Sequence, residues 1–434
     1  MKILIVAEHA SARFGGEAAL PMHYYRVLRR RNREVWLLTH ARVRDELAEL
    51  YPADIGTRIL FVEDTWLHKL MWRASHLLPA RLAYMTVGYA SRISTQWVQR
   101  RQAKRLVNAH AIDVVHQPMP VSPKEPSLLY DMGAPVVIGP MNGGMHYPPA
   151  FRSSEGRLEA AFVRVGRSLA DFLNRVMPGK RRAACLVVAN ERTAKALPES
   201  RARVETLVEN GVDLTVWRSE PSLEPLADVG TVRLVFMGRL VDWKAVDILI
   251  DAFAQARSDV SMSLTIIGDG PEGPALRQRC SALGVLATER SESGKVFFEG
   301  WLAQAKAAEA LTLHQLLVLP SLLECGGAVV LEAMAVGLPV IASNWGGPAD
   351  YLDQTCGVLL DPVARPLFVE RLSQAMVELA RDGHRRLALG QAGRRKVIEV
   401  FDWERKVDRM EELFASVRER DCESASDPHT SKRP

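Results

Sequence analysis

Two acids flank a glycine pair late in the chain. The segment PSLLECGGAVVLEAM contains Glu324, Gly326, Gly327 and Glu332, and it follows the apolar run LLVL. The run predicts a strand, so Glu324 and the glycines should lie on a strand-to-helix turn and Glu332 within the helix. Glycines let backbone amides approach a ligand closely, and the helix N-terminus at Ala328 favours a phosphate. One carboxylate can accept hydrogen bonds from sugar hydroxyls and the other from both hydroxyls of a ribose, which fits a nucleotide sugar.

Two cations follow another predicted strand. The run Val232–Met237 ends in Gly238 and Arg239, and Lys244 comes five residues later. The carboxyl ends of parallel strands meet at one edge of an open α/β sheet, where ligands bind. Both cations should therefore lie beside the two acids, where they could neutralise a diphosphate as it leaves.

Glycine turns close several further predicted strands. They are Gly15–Gly16, Gly268, Gly270 and Gly346–Gly347. Such loops on successive strand ends would line one ligand cleft.

Short apolar runs alternate with helical patterns along the chain, which predicts doubly wound α/β domains. In the first half the predicted strands are Lys2–Ala7, Val35–Thr39, Val114–His116, Val136–Gly139 and Leu186–Ala189. In the second half they are Val232–Met237, Leu264–Ile267, Val296–Phe298, Leu316–Leu319, Pro339–Ala342 and Val358–Leu360. Prolines and a glycine interrupt the pattern between residues 210 and 230. We expect an N-terminal domain at 1–215, a linker at 216–230, a second domain at 231–400, a C-terminal helix at 401–420 and a disordered tail at 421–434.

Composition limits the classes of protein to consider. The chain is 47% hydrophobic and 25% charged, the balance of a globular protein that buries substantial cores. Its five cysteines are scattered without the spacing of a zinc or redox motif. The apolar run at the N-terminus is too short for a signal peptide, and no stretch reaches the length of a membrane span. We expect a cytoplasmic protein with no metal, no cofactor and no nucleic-acid partner.

One window has an unusual charge distribution. No acid occurs in residues 65–112, between Asp64 and Asp113. The window contains the cations Lys69, Arg73, Arg81, Arg92, Arg100, Arg101, Lys104 and Arg105 and the aromatics Trp66, Trp72, Tyr84, Tyr89 and Trp97. Cations mixed with amphipathic aromatics favour contact with an anionic membrane surface. Amphipathic helices with their cations in solvent are the alternative.

Taken together, the motifs resemble the family 4 (group 1) glycosyltransferases, retaining enzymes of GT-B architecture. The resemblance rests on GRLVDWK from Gly238, IIGDGPE from Ile266 and PSLLECGGAVVLEAMAVGLPVIAS from Pro320. The N-terminal half is similar through its first strand and glycine pair, DVVH from Asp113 and NGVD from Asn210. The resemblance covers roughly residues 1–415 and is strongest in the second domain.

The resemblance implies two Rossmann-like domains that face each other across a cleft, and it implies roles for individual residues. Arg239 and Lys244 would hold the donor diphosphate, Glu324 would contact the transferred sugar, and Glu332 would bind the ribose. Gly15 and Gly16 would face the donor phosphates from the first domain.

The sequence departs from the family pattern at three places. The usual glycine-phenylalanine-glycine after the first glutamate is Cys325-Gly326-Gly327, and the usual glycine after the lysine is Ala245. Many members also have a histidine after the strand that here is Val136–Gly139. We expect Asn142 to take its place in catalysis, with His146 as the alternative.

The expected reaction moves a hexose-type sugar from a nucleoside-diphosphate sugar to a hydroxyl, with retained configuration. The chain has no Asp-x-Asp pair for a metal, so Arg239 and Lys244 would balance the diphosphate charge. The expected acceptor is a saccharide or a lipid-linked intermediate of surface polysaccharide at the inner face of the membrane.

Other functions fit the same architecture. A nucleotide-sugar epimerase or a sugar phosphorylase is the nearest alternative, and a catalytically silent subunit is another. A periplasmic solute receptor is disfavoured by the paired cations and acids.

Overall fold

Two parallel sheets organise the chain, each covered by helices. A computed structural model describes residues 1–14, 16–75, 88–154, 157–218, 230–290 and 292–426. The first unit contains residues 1–144, residues 161–209 and the chain from Lys406 onward. The second contains residues 145–160 and 210–405.

The first unit has a seven-stranded sheet in the order β3-β2-β1-β4-β5-β6-β7. Its strands are β1 (Lys2–Val6), β2 (Glu34–His40), β3 (Ile59–Val62), β4 (Val114–Gln117), β5 (Val136–Met141), β6 (Cys185–Val188) and β7 (Arg203–Thr206). Each neighbouring pair is parallel. Parallel strands are buried on both faces, which explains their runs of Val, Ile and Leu.

Helices connect these strands. They are α1 (Gly16–Arg30), α2 (Arg44–Leu50), α3 (Trp66–Ser75), α4 (Tyr89–His110), α5 (Arg157–Val176) and α6 (Glu191–Lys195). Helix α4 buries Ala103 and Val107 against Leu4, Leu38 and the strand residues around them. This apolar layer fixes the sheet edge at which the loops of the first unit begin.

The second unit has a six-stranded parallel sheet in the order β10-β9-β8-β11-β12-β13. Its strands are β8 (Val232–Met237), β9 (Met262–Ile267), β10 (Val296–Gly300), β11 (Leu316–Leu319), β12 (Val340–Ser343) and β13 (Val358–Leu360). Its helices are α7 (Val246–Ala256), α8 (Gly273–Ala282), α9 (Gln304–Thr312), α10 (Ala328–Ala335), α11 (Gly347–Tyr351), α12 (Arg365–Arg381) and α13 (Gly383–Lys396). The two sheets confirm the predicted doubly wound α/β class.

Two strands were not expected from the sequence. Strand β3 is a short edge strand with only its first and last residues buried. Strand β7, at the opposite edge, reads RVET and has no buried residue. An edge strand buries less surface than a central one, so β7 lacks the continuous apolar run that marked the other strands. Strand β3 reads ILFV and has such a run, but the sequence prediction did not include it.

The C-terminal helix is longer than expected. Helix α14 (Trp403–Ser426) extends six residues into the segment predicted as a disordered tail. The tail prediction is therefore corrected for residues 421–426, because a helix already stabilised by packing propagates at little cost through Asp, Glu and Ala. Met410 and Phe414 of α14 are buried in the first unit, where the Phe414 ring lies 5.2 Å from the ring of His116.

The remaining domain boundaries stay predictions. The compact units divide between Glu209 and Asn210, close to the expected end of the first domain at 215. Residues 219–229 of the predicted linker and residues 427–434 of the predicted tail lie outside the described residues. Within the described part of the chain, no helix is both long and apolar enough to cross a bilayer.

Candidate donor site

The carboxyl edge of the second sheet brings together a lysine and a glutamate from distant parts of the sequence. Lys244 lies on the turn after β8, and Glu324 lies on the loop after the neighbouring strand β11. A backbone hydrogen bond of 2.8 Å from Leu322 N to Trp243 O joins the two loops. The Lys244 ammonium donates to the Glu324 carboxylate, and their side chains are only 14% and 13% exposed. The predicted cation and acid therefore form a shielded ion pair.

Arg239 lies on the same turn as Lys244 but is exposed to solvent. Within the described residues, its guanidinium forms no ion pair. An arginine in this state keeps all its donors available for an anion.

Glycines allow the neighbouring loops to touch through their backbones. A side chain at Gly268 would place its Cβ 1.9 Å from the carbonyl oxygen of Gly238. A Cβ at Gly347 would lie 1.8 Å from the carbonyl oxygen of Gly326. Gly270 approaches Leu240 O in the same way, at 2.3 Å. These positions admit only glycine, so the predicted glycine turns hold the loops of adjacent strands in contact.

Helix α10 begins beside Glu324. Gly327 is its N-cap residue, with a left-handed φ of 80°, and no side chain caps the helix. The amides from Ala328 onward are therefore not engaged by a capping side chain, and such a helix end favours an anion.

Glu332 lies on α10, one turn beyond its start, and is partly buried. Burial raises the pKa of Glu332 to about 7. Its carboxylate has no hydrogen bond or ion pair to any residue that the structure describes. A partly buried carboxylate without a donor is solvated less well than an exposed one, and hydroxyl groups of a ligand would supply donors.

Ala245 occupies the position of a glycine in the family pattern. Its backbone is left-handed, with φ 52° and ψ 39°. The conformation for which glycine is suited is therefore retained, at a cost of roughly 1–2 kcal/mol for a residue with a Cβ.

The two candidates for the family histidine lie in different units. Asn142 is buried in the first unit, where its Nδ2 donates to Glu209 Oε1 at 2.8 Å and its Oδ1 accepts from Thr193 Oγ1 at 3.3 Å. His146 is exposed in the second unit, and its carbonyl accepts a 2.8 Å hydrogen bond from the Trp345 indole. Asn142 thus has buried polar partners, whereas His146 is exposed. The catalytic role of Asn142 stays a prediction.

The Met145 side chain lies beside Gly346, on the loop that contacts Glu324. A Cβ at Gly346 would meet Met145 Cε at 2.7 Å and the carbonyl oxygen of Glu324 at 2.1 Å. His146 follows Met145 directly, so it lies close to the loop that contains Glu324.

Residues 231–382 match the family model described as Glycosyl transferases group 1. This part of the chain is therefore similar to the group 1 glycosyltransferases. The match lies within the second unit and includes Arg239, Lys244, Glu324 and Glu332.

Curated proteins of similar sequence are consistent with this similarity. The chain is 31% identical over 236 residues to an alpha-maltose-1-phosphate synthase of Mycolicibacterium smegmatis, which covers 52% of this chain and 59% of that protein. It is 31% identical over 199 residues to a GDP-mannose-dependent phosphatidylinositol monomannoside mannosyltransferase of the same organism, covering 43% and 48%. The chain thus spans about half the length of the curated relatives that it matches.

Solved structures show the same fold over nearly the whole chain. HepE of Anabaena in complex with UDP superposes with a TM-score of 0.64 at 17% identity, covering 96% of this chain and 100% of that one. A sucrose-phosphate synthase from Thermosynechococcus elongatus has a TM-score of 0.62 at 17% identity, with 98% and 100% covered. The GT-B fold class is therefore confirmed.

In the first unit, the sequence did not predict a cluster of charged residues at the carboxyl edge of the sheet. We call Glu8, His9, Arg42, Asp64, Arg92 and Glu125 the edge cluster. Glu8 and His9 follow β1, and Asp64 follows β3. Arg42 pairs with Asp64 at 3.0 Å, and Arg92 pairs with Glu125 at 2.8 Å. The position of Glu8 and His9 directly after the first strand was the one available sequence signal.

Burial perturbs two members of the edge cluster. It raises the pKa of Glu8 to about 7 and lowers the pKa of His9 to about 4. Arg42 and Arg92 lower the pKa of His9 further. Ionisable groups with shifted pKa values, clustered at a sheet edge, are typical of a binding or catalytic surface.

The predicted glycine pair near the N-terminus is only partly described. Gly16 is the first residue of α1, and space around it is open. Gly15 lies outside the described residues.

The acid-free window uses some of its cations for packing. Arg92 pairs with Glu125, and the Arg100 guanidinium lies 4.0 Å from the Tyr130 ring and donates to the Tyr130 carbonyl. Arg73, Arg101 and Arg105 are exposed and Lys104 is partly buried. The exposed apolar residues are Trp66 (75%), Leu70 (55%) and Trp97 (49%). The side chains of Lys69 and Trp72, and all of Arg81 and Tyr84, lie outside the described part of the chain.

The state of Glu332 predicts an effect on stability. Its folded-state pKa, about 7, is above the ordinary value of 4.5, so the folded protein binds more protons than the unfolded one between these pH values. The ionised carboxylate therefore lowers stability as pH rises through this range. Glu332→Gln removes the titration and should raise the free energy of unfolding at about pH 8 by on the order of 2 kcal/mol, with less gain near pH 5.

Denaturant unfolding of the ligand-free protein at both pH values measures this effect. Glu309→Gln, an exposed acid of the same unit, is the matched control and should change neither value. A Glu332→Gln variant that is less stable than wild type at high pH would show that the carboxylate has a stabilising partner.

Proposed function

We propose that this glycosyltransferase moves a hexose-type sugar from a nucleoside-diphosphate sugar to a hydroxyl acceptor and retains the anomeric configuration. The observation that carries the proposal is the shielded Lys244–Glu324 pair at the carboxyl edge of the second sheet. The bond that breaks joins a diphosphate to a sugar. A cation at this edge of the sheet can bind the diphosphate, and the neighbouring acid can accept hydrogen bonds from the sugar hydroxyls. The UDP complex of HepE, which has the same fold, supports a nucleotide ligand.

The two cations have complementary roles in this proposal. Lys244 binds the diphosphate and stabilises the charge that grows as the glycosidic bond breaks. Arg239, exposed on the same turn, adds a second, bidentate contact to the phosphates. In the ligand-free protein Glu324 balances Lys244, and in the complex the diphosphate replaces it. Glu324 is then free to accept hydrogen bonds from sugar hydroxyls.

Backbone groups and Glu332 complete the donor site. The amides of Gly326, Gly327 and Ala328 lie at the N-terminus of α10, where the helix dipole favours a phosphate. Glu332 accepts hydrogen bonds from both ribose hydroxyls. These contacts offset its unfavourable burial and lower its pKa again.

The reaction balances without a protein nucleophile. The acceptor oxygen forms the new bond to the anomeric carbon, and the bond from that carbon to the phosphate oxygen breaks with its electron pair. The proton of the acceptor hydroxyl passes to the departing phosphate oxygen on the same face. Arg239 and Lys244 supply the positive charge at the diphosphate, so we propose that transfer needs no divalent metal.

The acceptor binds to the first unit in this proposal. The edge cluster offers charged donors and acceptors that suit saccharide hydroxyls. The acceptor is a lipid-linked intermediate of a surface polysaccharide, and the enzyme works in the cytoplasm on the inner face of the membrane. The name of the mycolicibacterial relative specifies a phosphatidylinositol mannoside, which supports a lipid-borne acceptor.

The window at residues 65–112 provides the proposed membrane contact. Trp66 and Leu70 of α3 and Trp97 of α4 are exposed, with Arg73 and Arg101 on the same helices. Exposed aromatics beside cations are typical of helices that lie in a membrane interface. The engagement of Arg92 and Arg100 in packing leaves fewer cations for lipid than the sequence suggested.

A donor screen tests the reaction. Each nucleoside-diphosphate sugar is incubated with soluble and with lipid-linked acceptors, and nucleotide release is measured with and without chelator. We expect release from one donor, dependent on acceptor and unaffected by chelator, with retained configuration in the NMR spectrum of the product. Acceptor-independent epimerisation, an inverted product or a requirement for added magnesium or manganese would contradict the proposal.

Replacing His146 and replacing Asn142 should affect different properties, turnover in the first case and stability in the second. His146→Ala should lower turnover by roughly 100-fold, because His146 is exposed and follows Met145, whose Cε lies beside Gly346. Asn142→Ala should lower the free energy of unfolding by about 1–3 kcal/mol, because it leaves buried polar partners unsatisfied. Turnover at saturating donor and denaturant unfolding of both variants measure these effects. Full activity in His146→Ala with lost turnover in a stable Asn142→Ala would restore the role first expected for Asn142.

A further inference from the structure

Helix α5 has an apolar stripe on its solvent side. Leu169, Phe172 and Val176 are 52%, 58% and 62% exposed. Their spacing of three and four residues places them on one face of the helix. Ala170 and Asn174, on another face, are buried against the first unit. Single exposed apolar residues are common on soluble proteins, but a continuous row of large ones indicates an interaction surface.

A basic cavity adjoins this stripe. It has a volume of about 1180 Å³, and Val176 belongs to both its lining and the stripe. Its cations are Lys124, Arg175, Arg181, Arg182 and Arg201, and its acids are Asp171 and Glu199. The lining therefore has three more cations than acids.

Only part of this positive charge is neutralised. Lys124 pairs with Asp171 at 2.7 Å, and Arg182 pairs with Asp131 at 2.5 Å. Arg175, Arg181 and Arg201 form no ion pair with any residue that the structure describes. All three are exposed at the cavity, so their guanidinium groups are available to an anion.

The sheet topology places α5 on the same face of the first unit as α4. Helix α4 lies in the connection from β3 to β4 and α5 in the connection from β5 to β6, and both connections run in the same direction along the sheet. Right-handed crossovers in one direction lie on one face of a parallel sheet. Residues 124 and 125 link the two helices, since Asn174 donates to Lys124 O and Arg92 pairs with Glu125.

We infer that the α5 stripe and the basic cavity form a docking site for anionic membrane lipid. The stripe enters the apolar boundary of the bilayer, and the cavity receives the phosphate of a headgroup. The stripe and the cavity together match an amphipathic anion. A soluble anion would contact the arginines but not the stripe, and an apolar helix would contact the stripe but not the arginines. The inference rests on the proposed membrane attachment and adds a second contact beside that of residues 65–112.

Vesicle sedimentation of the full chain tests the inference. The probes are vesicles of phosphatidylglycerol mixed with phosphatidylcholine, and vesicles of phosphatidylcholine alone. The stripe variant is Phe172→Ser with Val176→Ser, and the cavity variant is Arg175→Ser with Arg181→Ser and Arg201→Ser. We expect wild type to bind only the anionic vesicles and each variant to bind them about tenfold or more weakly.

Two further variants serve as matched controls, and a third tests the other membrane contact. Leu313→Ser with Val400→Ser removes two residues of the second unit with 54% and 51% exposure, and it should bind like wild type. Lysine at all three cavity arginines keeps the charge and should retain most of the binding. Trp97→Ser with Arg101→Ser reports on the 65–112 contact. Nucleotide release with a soluble acceptor should be unchanged in the stripe and cavity variants, which shows that they fold.

The other outcomes separate the two membrane contacts. If the stripe and cavity variants bind like wild type while Trp97→Ser with Arg101→Ser does not, the inference is wrong and the attachment through residues 65–112 stands. If wild type ignores anionic vesicles, both contacts fail. If only the cavity variant loses binding and inorganic phosphate competes fully with vesicles, the cavity is a soluble-anion site and the inference is overturned.

Discussion

The donor site depends on close backbone contact between loops that follow neighbouring parallel strands. Strands β8 and β11 are adjacent, and the Leu322–Trp243 hydrogen bond holds their loops together. On the far side of the Glu324 loop, the amide of Gly347 donates to the carbonyl of Glu324 at 2.8 Å. Without a side chain at Gly347 this approach is possible, and with one it is not. The Lys244–Glu324 pair follows from this geometry, since Lys244 ends a single 3-10 turn and Glu324 lies on a loop.

The same edge holds polar groups that the folded chain does not satisfy. Arg239 has no acidic partner, and Glu332 has no donor, among the described residues. Arg239 is exposed and water can solvate it, whereas the partly buried Glu332 carboxylate is solvated less well and gains more from a ligand donor. Burial raises the pKa of Glu332, so its ionised form is disfavoured in the ligand-free protein. Ribose hydroxyls that donate to this carboxylate, as proposed above, would offset that cost.

Local patterns predicted the second unit well, because its function lies in contiguous motifs. The strand before Gly238 and the strand before Glu324 were predicted with their observed bounds. The first unit was harder. Its edge cluster draws on loops after several strands and on α4, so no sequence window contains it. Likewise, nothing local predicts that Arg100 packs on Tyr130, from a later loop, while the exposed Arg101 lies over Trp97 of its own helix.

The proposed donor site requires that Lys244 binds the diphosphate. In the ligand-free protein Glu324 occupies Lys244, so the carboxylate and the diphosphate compete for the lysine. A calorimetric double-mutant cycle tests this with the nucleoside diphosphate selected by the donor screen, using Lys244→Ala, Glu324→Ala and the double variant. Lys244→Ala should weaken binding at least tenfold, whereas Glu324→Ala should not weaken it, because it frees the lysine. Wild-type affinity in a folded Lys244→Ala variant would contradict the account.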